Sequence, residues 1–204
     1  MVNVVSTNEN VRGRKKKERT VGFSNKFILK KLCFTSLFAA LIAGGTFIAI
    51  PIGPVPVVLQ NFFALLSGLV LGPFLGSAAV ALYLFAGLLG APVFAGFTGG
   101  IARFAGPTGG YLLGYLLMAL FAGLIAGRPG TKVSIGRIII AAAAGLLAVY
   151  LPGVVWLKIR TNSDWARALM LGFVPFIPGD VFKGIAAVLS AKRLRKTAAE
   201  HLDE

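Results

Sequence analysis

From position 32 to position 102 the chain carries no Lys, Arg, Asp or Glu. So long an uncharged stretch, rich in Leu, Ala, Val, Phe and Gly, leaves few folding options. One helical crossing of a bilayer takes about 20 apolar residues. Within hydrocarbon, only helices and closed barrels satisfy every backbone polar group. Apolar residues make up 56% of the 204 and mean hydropathy is +0.81, against roughly 45–50% apolar in soluble domains. The expected architecture is all-α: one integral membrane domain with six transmembrane helices.

Punctuation in the sequence places the spans at about 32–50, 57–71, 74–90, 108–126, 138–157 and 165–191. Pro51-Ile-Gly-Pro-Val-Pro56 reads as a stiff uncharged turn and Gly72-Pro73 as a break. Residues 91–107 are apolar, glycine-rich and carry one cation, Arg103. They are expected to form a re-entrant or capping loop folded over protein, where irregular backbone is tolerated. Residues 1–26, with Arg12-Gly-Arg14-Lys-Lys-Lys17-Glu-Arg19, read as a disordered basic tail, 27–196 as the membrane domain and 197–204 as a polar tail. The first apolar run is too long for a signal-peptide core and lacks a cleavage site, so removal of a leader is not expected.

The formal charge of +14 does not point to nucleic acid, because its placement follows the membrane instead. With six spans, sixteen Lys and Arg flank the termini and the 127–137 connection, whereas Arg103, Lys158, Arg160 and Arg167 lie on the other side. Cytoplasmic loops are enriched in cations, so both termini are expected in the cytoplasm, with the 51–56 turn and the 91–107 loop on the outer face. The bilayer is the partner that this charge fits.

Inside the last span stands Pro175-Phe-Ile-Pro-Gly-Asp180-Val-Phe-Lys183. Ionisable groups at membrane depth are costly and usually mark a binding site or pathway. Three residues apart on a helix, Asp180 and Lys183 share a face and offer a carboxylate acceptor beside an ammonium donor. Pro175, Pro178 and Gly179 predict a broken backbone and a fresh helix near Asp180. An internal salt bridge that holds this helix in register is the alternative.

Other positions also carry two readings. Arg103 can bind an anionic ligand group or snorkel to headgroups, and Gln60 and Asn61 can be pocket donors or interfacial amides. Ala39-x-x-x-Ala43 and Ala40-x-x-x-Gly44 suit either internal packing or docking to another membrane protein. Gly110-x-x-x-Gly114 and Gly123-x-x-x-Gly127 suit close helix packing. The single Cys33 and the single His201 form no metal set, and no phosphate loop or H-E-x-x-H motif occurs. Neither an enzyme nor a cofactor is expected.

Five stretches occur together, in order: Pro51-Ile-Gly-Pro-Val-Pro-Val-Val-Leu-Gln60, Pro92-Val-Phe-Ala95, Gly106-Pro-Thr-Gly-Gly-Tyr111, Leu151-Pro-Gly-Val-Val-Trp-Leu157 and the segment ending in Asp180 and Lys183. Over roughly residues 30–196 the chain thereby resembles the BioY family, the biotin-binding S components of energy-coupling factor transporters. The resemblance implies a protein of the bacterial plasma membrane that captures biotin at the outer face. It would deliver biotin inward by docking on an EcfT-type transmembrane subunit with two ATPases. The docking contact would fall on Ala39 and Ala43. Asp180 and Lys183 would meet the ureido ring and Arg103 the valerate carboxylate. Gln60 would join the site, with Phe94, Phe97 and Tyr111 as walls. Val58 departs from the family, which often has a hydroxyl residue there. An S component for another vitamin, or a biotin carrier working alone, are the alternatives.

Overall fold

The computed structural model describes residues 26–51 and 54–202; the basic block at 12–19 lies outside the described residues. Helix α1 (Lys26–Gly45) is followed by two short strands, β1 (Ala49–Ile50) and β2 (Val57–Val58), paired antiparallel with Ala49 opposite Val58. This hairpin is the exception to the all-helical expectation. Pro51, Pro54 and Pro56 lack N–H donors, so the ladder cannot extend toward its turn.

The second and third expected spans are the two arms of α2 (Gln60–Leu88), folded at Gly72 with φ +80° and ψ −176°. Glycine takes that conformation without a Cβ clash, and Pro73 starts the second arm where no helical N–H is required. The arms then run back against each other. Ser67 Oγ reaches Gly76 O at 3.2 Å, and a Cβ built on Gly76 would lie 2.7 Å from Gly68 Cα. Along one straight helix, Gly68 and Gly76 would stand about 12 Å apart.

A loop containing the short helix α3 (Ile101–Ala105) leads to α4 (Gly109–Ala126), the most buried of the long helices. Helix α4 lies between α2 and α5 (Ile135–Thr161). Glycines permit the approach: a Cβ at Gly114 would meet Val149 O at 2.7 Å, and one at Gly123 would meet Pro73 N at 2.5 Å. With no hydrophobic drive between helices in lipid, such close backbone contact is what associates them.

The sixth expected span is broken into α6 (Trp165–Gly172), a 3-10 turn (Val174–Phe176) and α7 (Ile177–Leu202). Asp164 caps α6 by accepting the Arg167 N–H at 3.1 Å. Pro178 stands at the second position of α7, where its missing N–H costs nothing, and Asp180 falls in the first turn. Helix α7 also runs through residues 197–202, expected as a polar tail. There Ala198 and Leu202 are buried on one helical face.

Arg195, read from sequence only as part of a basic end, is buried. Its guanidinium donates to Leu69 O, Ala126 O, Gly127 O and Arg128 O. These carbonyls lie at or near the C-terminal ends of the first arm of α2 and of α4, where helix carbonyls run out of partners and helix dipoles are negative. The start of α1, the fold of α2, the α4–α5 connection and the end of α7 therefore meet at one end of the bundle. Phe27, Pro73, Arg128 and Leu202 line a common depression there.

Replacing Gly76 by valine forces the two arms of α2 apart against backbone, a cost on the order of 1–3 kcal/mol. The variant should melt lower and give less monodisperse protein in detergent. Gly44→Ala, where a Cβ meets nothing within 4 Å, should match the parent. Equal melting of the Gly76→Val protein would rule out the contact between the arms.

Candidate functional site

Asp180 is 5% exposed. Its Oδ1 accepts from Asn61 Nδ2 at 2.8 Å and lies 2.6 Å from Lys183 Nζ. Its Oδ2 accepts from the Tyr150 hydroxyl. Lys183 Nζ donates in turn to Asn61 Oδ1 at 2.8 Å and to Val58 O at 3.2 Å. The Asn61 amide thus serves both charges, giving its N–H to the acid and its carbonyl to the amine. β2, α2, α5 and α7 all contribute to one cluster. Asp180 and Asn61 each lie in the first turn of a long helix, α7 and α2, whose positive dipole ends favour the carboxylate. The pair expected on one helical face is formed, and its members are bonded to more than each other.

Two small cavities flank the cluster. The first is lined by Asn61, Tyr150, Phe176, Asp180 and Lys183; the second by Gln60, Phe94, Ala95, Arg103 and Thr108. Val55, Pro56, Val58, Tyr111 and Tyr115 border both. These shared residues make an apolar, aromatic waist between two lobes, one lined by the Asp180–Lys183 pair and the other by Arg103. Each lobe has about 30 Å³ of free volume, room for about one water molecule.

Arg103 enters the second lobe while braced by its own loop. Its Nε donates to Thr98 Oγ1 at 2.7 Å and a terminal nitrogen to Ala95 O, which uses two of five N–H groups. Gln60 is buried and accepts from the Tyr83 hydroxyl at 3.2 Å. Tyr111 presents its ring to both lobes, because its hydroxyl is committed to Gly172 O at 2.7 Å. Phe94 is buried edge-to-face against Tyr83 and Phe104, with centroids 5.5 and 5.6 Å away.

Three expected positions sit elsewhere. Phe97 is 69% exposed and stacks on Phe47 at 4.9 Å, lining neither lobe. The Phe94–Thr98 bridge closes a tight loop in which Gly96 and Phe97 take positive φ, and this turns the Phe97 ring outward. Ala39 is buried and Ala43 packs against the core, whereas Ala40 and Gly44 are exposed. The small pair that faces out of α1 is therefore Ala40 and Gly44. Tyr150 and Tyr115 gave no signal in the sequence. Asn61 did, as an amide in an uncharged span, where an unpaired polar group is costly.

The BioY family model matches residues 15–200. The chain belongs to the BioY family. This BioY chain is 43% identical over 172 residues to the biotin transporter BioY of Thermotoga maritima, covering 84% of the chain and 99% of that relative. It is 35% identical over 179 residues to the biotin transporter BioY of Lactococcus lactis, covering 85% and 94%. Its fold is similar to the crystal structure of the S-component for biotin from an ECF-type ABC transporter, with a TM-score of 0.75 and 35% identity over 82% of this chain and 92% of that one. BioY proteins are multi-pass transporter S components, not enzymes.

The bonding around Asp180 has an energetic consequence. Asp180→Leu strands a largely buried ammonium, and breaking such a pair costs roughly 3–5 kcal/mol. The double variant Asp180→Leu/Lys183→Met should melt higher than Asp180→Leu alone, measured by thermal unfolding in detergent. Strictly additive losses would mean that the two side chains are not coupled.

Proposed function

We propose that this chain is the biotin-binding S component of an ECF transporter, which captures biotin at the outer face and releases it inward. The observation that carries the reading is the order of chemistry along the two-lobed space: Asp180, Lys183 and Asn61, then the Tyr111–Tyr115 waist, then Arg103. Biotin has the same order. Its ureido ring offers two N–H donors and a carbonyl, its thiophane ring and chain are apolar, and its tail ends in a carboxylate. Asp180 accepts from the ureido N–H, and Lys183 and Asn61 donate to the carbonyl. The guest thereby replaces part of the direct acid–amine contact, and neither charge loses its hydrogen bonding. Arg103 receives the carboxylate, Gln60 stands beside it, and Phe94 and Tyr111 wall the middle.

Sites that enclose small ligands usually offer roughly 300–1,000 Å³, far more than the two lobes hold. Biotin is therefore seated by outward movement of the shared wall at Val55 and Val58. Delivery relies on an EcfT-type membrane subunit with two ATPases in a bacterial plasma membrane. Helix α1 meets that module through Ala40 and Gly44, the exposed small pair, rather than through Ala39 and Ala43. Among the described residues, Lys26, Lys30, Lys31, Arg128, Lys132, Arg137 and the cations of 192–196 gather at the end where α1 begins and α7 ends. Cation bias makes that end cytoplasmic.

Equilibrium binding to the purified chain tests the cargo. Biotin should bind in preference to other vitamins, and Asp180→Asn or Lys183→Ala should abolish binding in protein that remains folded. Arg103→Ala should weaken biotin by roughly 10–100-fold, the worth of a charged hydrogen bond, while leaving biotin amide nearly unaffected. Preference for another vitamin, or equal losses for acid and amide, would overturn the assignment.

Coupling is tested separately. Ala40→Trp should preserve biotin affinity and abolish both co-purification with the coupling module and cellular uptake. Uptake that survives deletion of the ATPases would make the chain a carrier working alone.

A further inference from the structure

On the membrane-facing side, α5 and α7 diverge around an apolar groove of about 380 Å³. Ile139, Ile185 and Leu189 form its rims, each more than half exposed, and Ala142, Ala143 and Gly184 keep it concave. From Ile135 to Leu146 the groove extends about 16 Å along α5, roughly half the depth of the hydrocarbon core.

At the end where α1 begins and α7 ends, one helical turn beyond Val188, the same two helices border a second depression of about 270 Å³. It is lined by Lys132, Lys192 and Lys196 and by the backbone around Gly130 and Thr131. It adjoins the start of α5, whose 27 residues direct a positive dipole end toward it. Among the described residues, none of these three lysines is paired with a carboxylate. An apolar slot in register with a cluster of ammonium groups at the bilayer boundary matches an amphiphile with an anionic head. A partner helix, about 10 Å across, would fill the slot with side chains but would need an acidic residue placed at the lysines, which an anionic headgroup supplies by itself.

We propose that the α5–α7 groove is a binding site for an anionic phospholipid. One acyl chain lies along Ile139, Ala142 and Ile185, and the phosphate sits on Lys132, Lys192 and Lys196. The site is separate from the two-lobed cavity and does not depend on the biotin reading. Only Asp180, which closes the end of the groove remote from the lysines, borders both.

The purified full chain in neutral detergent, mixed with phosphatidylglycerol or phosphatidylcholine of matched chains and examined by native mass spectrometry, tests the proposal. Phosphatidylglycerol should be retained over phosphatidylcholine by a factor on the order of 10–100, as three lysine–phosphate contacts imply. The triple variant Lys132→Gln/Lys192→Gln/Lys196→Gln should lose that preference. Ala143→Trp, which fills the groove from an exposed position and leaves the charges, should also reduce retention. Both variants should keep the parent melting temperature in the absence of lipid, which separates loss of the site from loss of the fold. Equal retention of the two lipids, or unchanged selectivity in the triple variant, would overturn the site. Displacement of the lipid by millimolar inorganic phosphate would reduce it to a headgroup-only anion site and refute the acyl groove. Unchanged lipid retention by Ala143→Trp, with loss of a co-purifying coupling subunit, would assign the groove to a protein instead.

Discussion

A carboxylate placed at the start of a membrane helix needs partners, and those of Asp180 come from several parts of the fold. Asn61 brings the first turn of α2, Tyr150 brings the middle of α5, and Lys183 lies one turn along α7. Through Lys183 the network also holds Val58 at the end of the β hairpin. In a low-dielectric setting an unpaired ion is penalised far more than a paired one gains. The cluster therefore restricts the relative positions of the four elements. A guest that offers equivalent donors and acceptors could replace some of these contacts at little net cost, which is the basis of the binding role proposed for the cluster.

The rest of the bundle is arranged so that these elements can converge. Glycine and alanine allow α4 to approach both α2 and α5 at backbone distance, and the fold at Gly72 returns α2 along itself. At the opposite end Arg195 gathers the free carbonyls of two helix ends. One end of the molecule is thus closed around a cation that serves helix C-termini. The other is organised around an anion near helix N-termini, as the direction of the helix dipole favours.

The two-lobed space is walled both by the bundle and by the loops that cover it. Its charged groups differ in how they are supported: Asp180 is held by distant elements, while Arg103 is braced within its own loop by Thr98 and Ala95. The hairpin residues Val55 and Val58, which border both lobes, stand where those two supports meet.

Much of this was legible from residue order. The uncharged stretch at 32–102 required membrane helices, Gly72-Pro73 marked the fold of α2, and the spacing of Asp180 and Lys183 placed them on one face. Which side of each helix faces inward was not legible. When both lipid and core are apolar, the amphipathic contrast that orients a helix in water disappears, so Ala39 and Ala40 read alike although only the first is buried. The outward direction of Phe97 was not legible either, because it depends on a loop closed by the Phe94–Thr98 bridge. Tyr150 and Arg195 acquire their roles from partners 30 and more residues away. Sequence alone therefore determined the solvent of this protein, its helical class and the chemistry of its pair, since these depend on local composition and spacing. Only the tertiary structure decided which side chains complete the site and which surfaces are left for lipid or partner, because those follow from long-range packing.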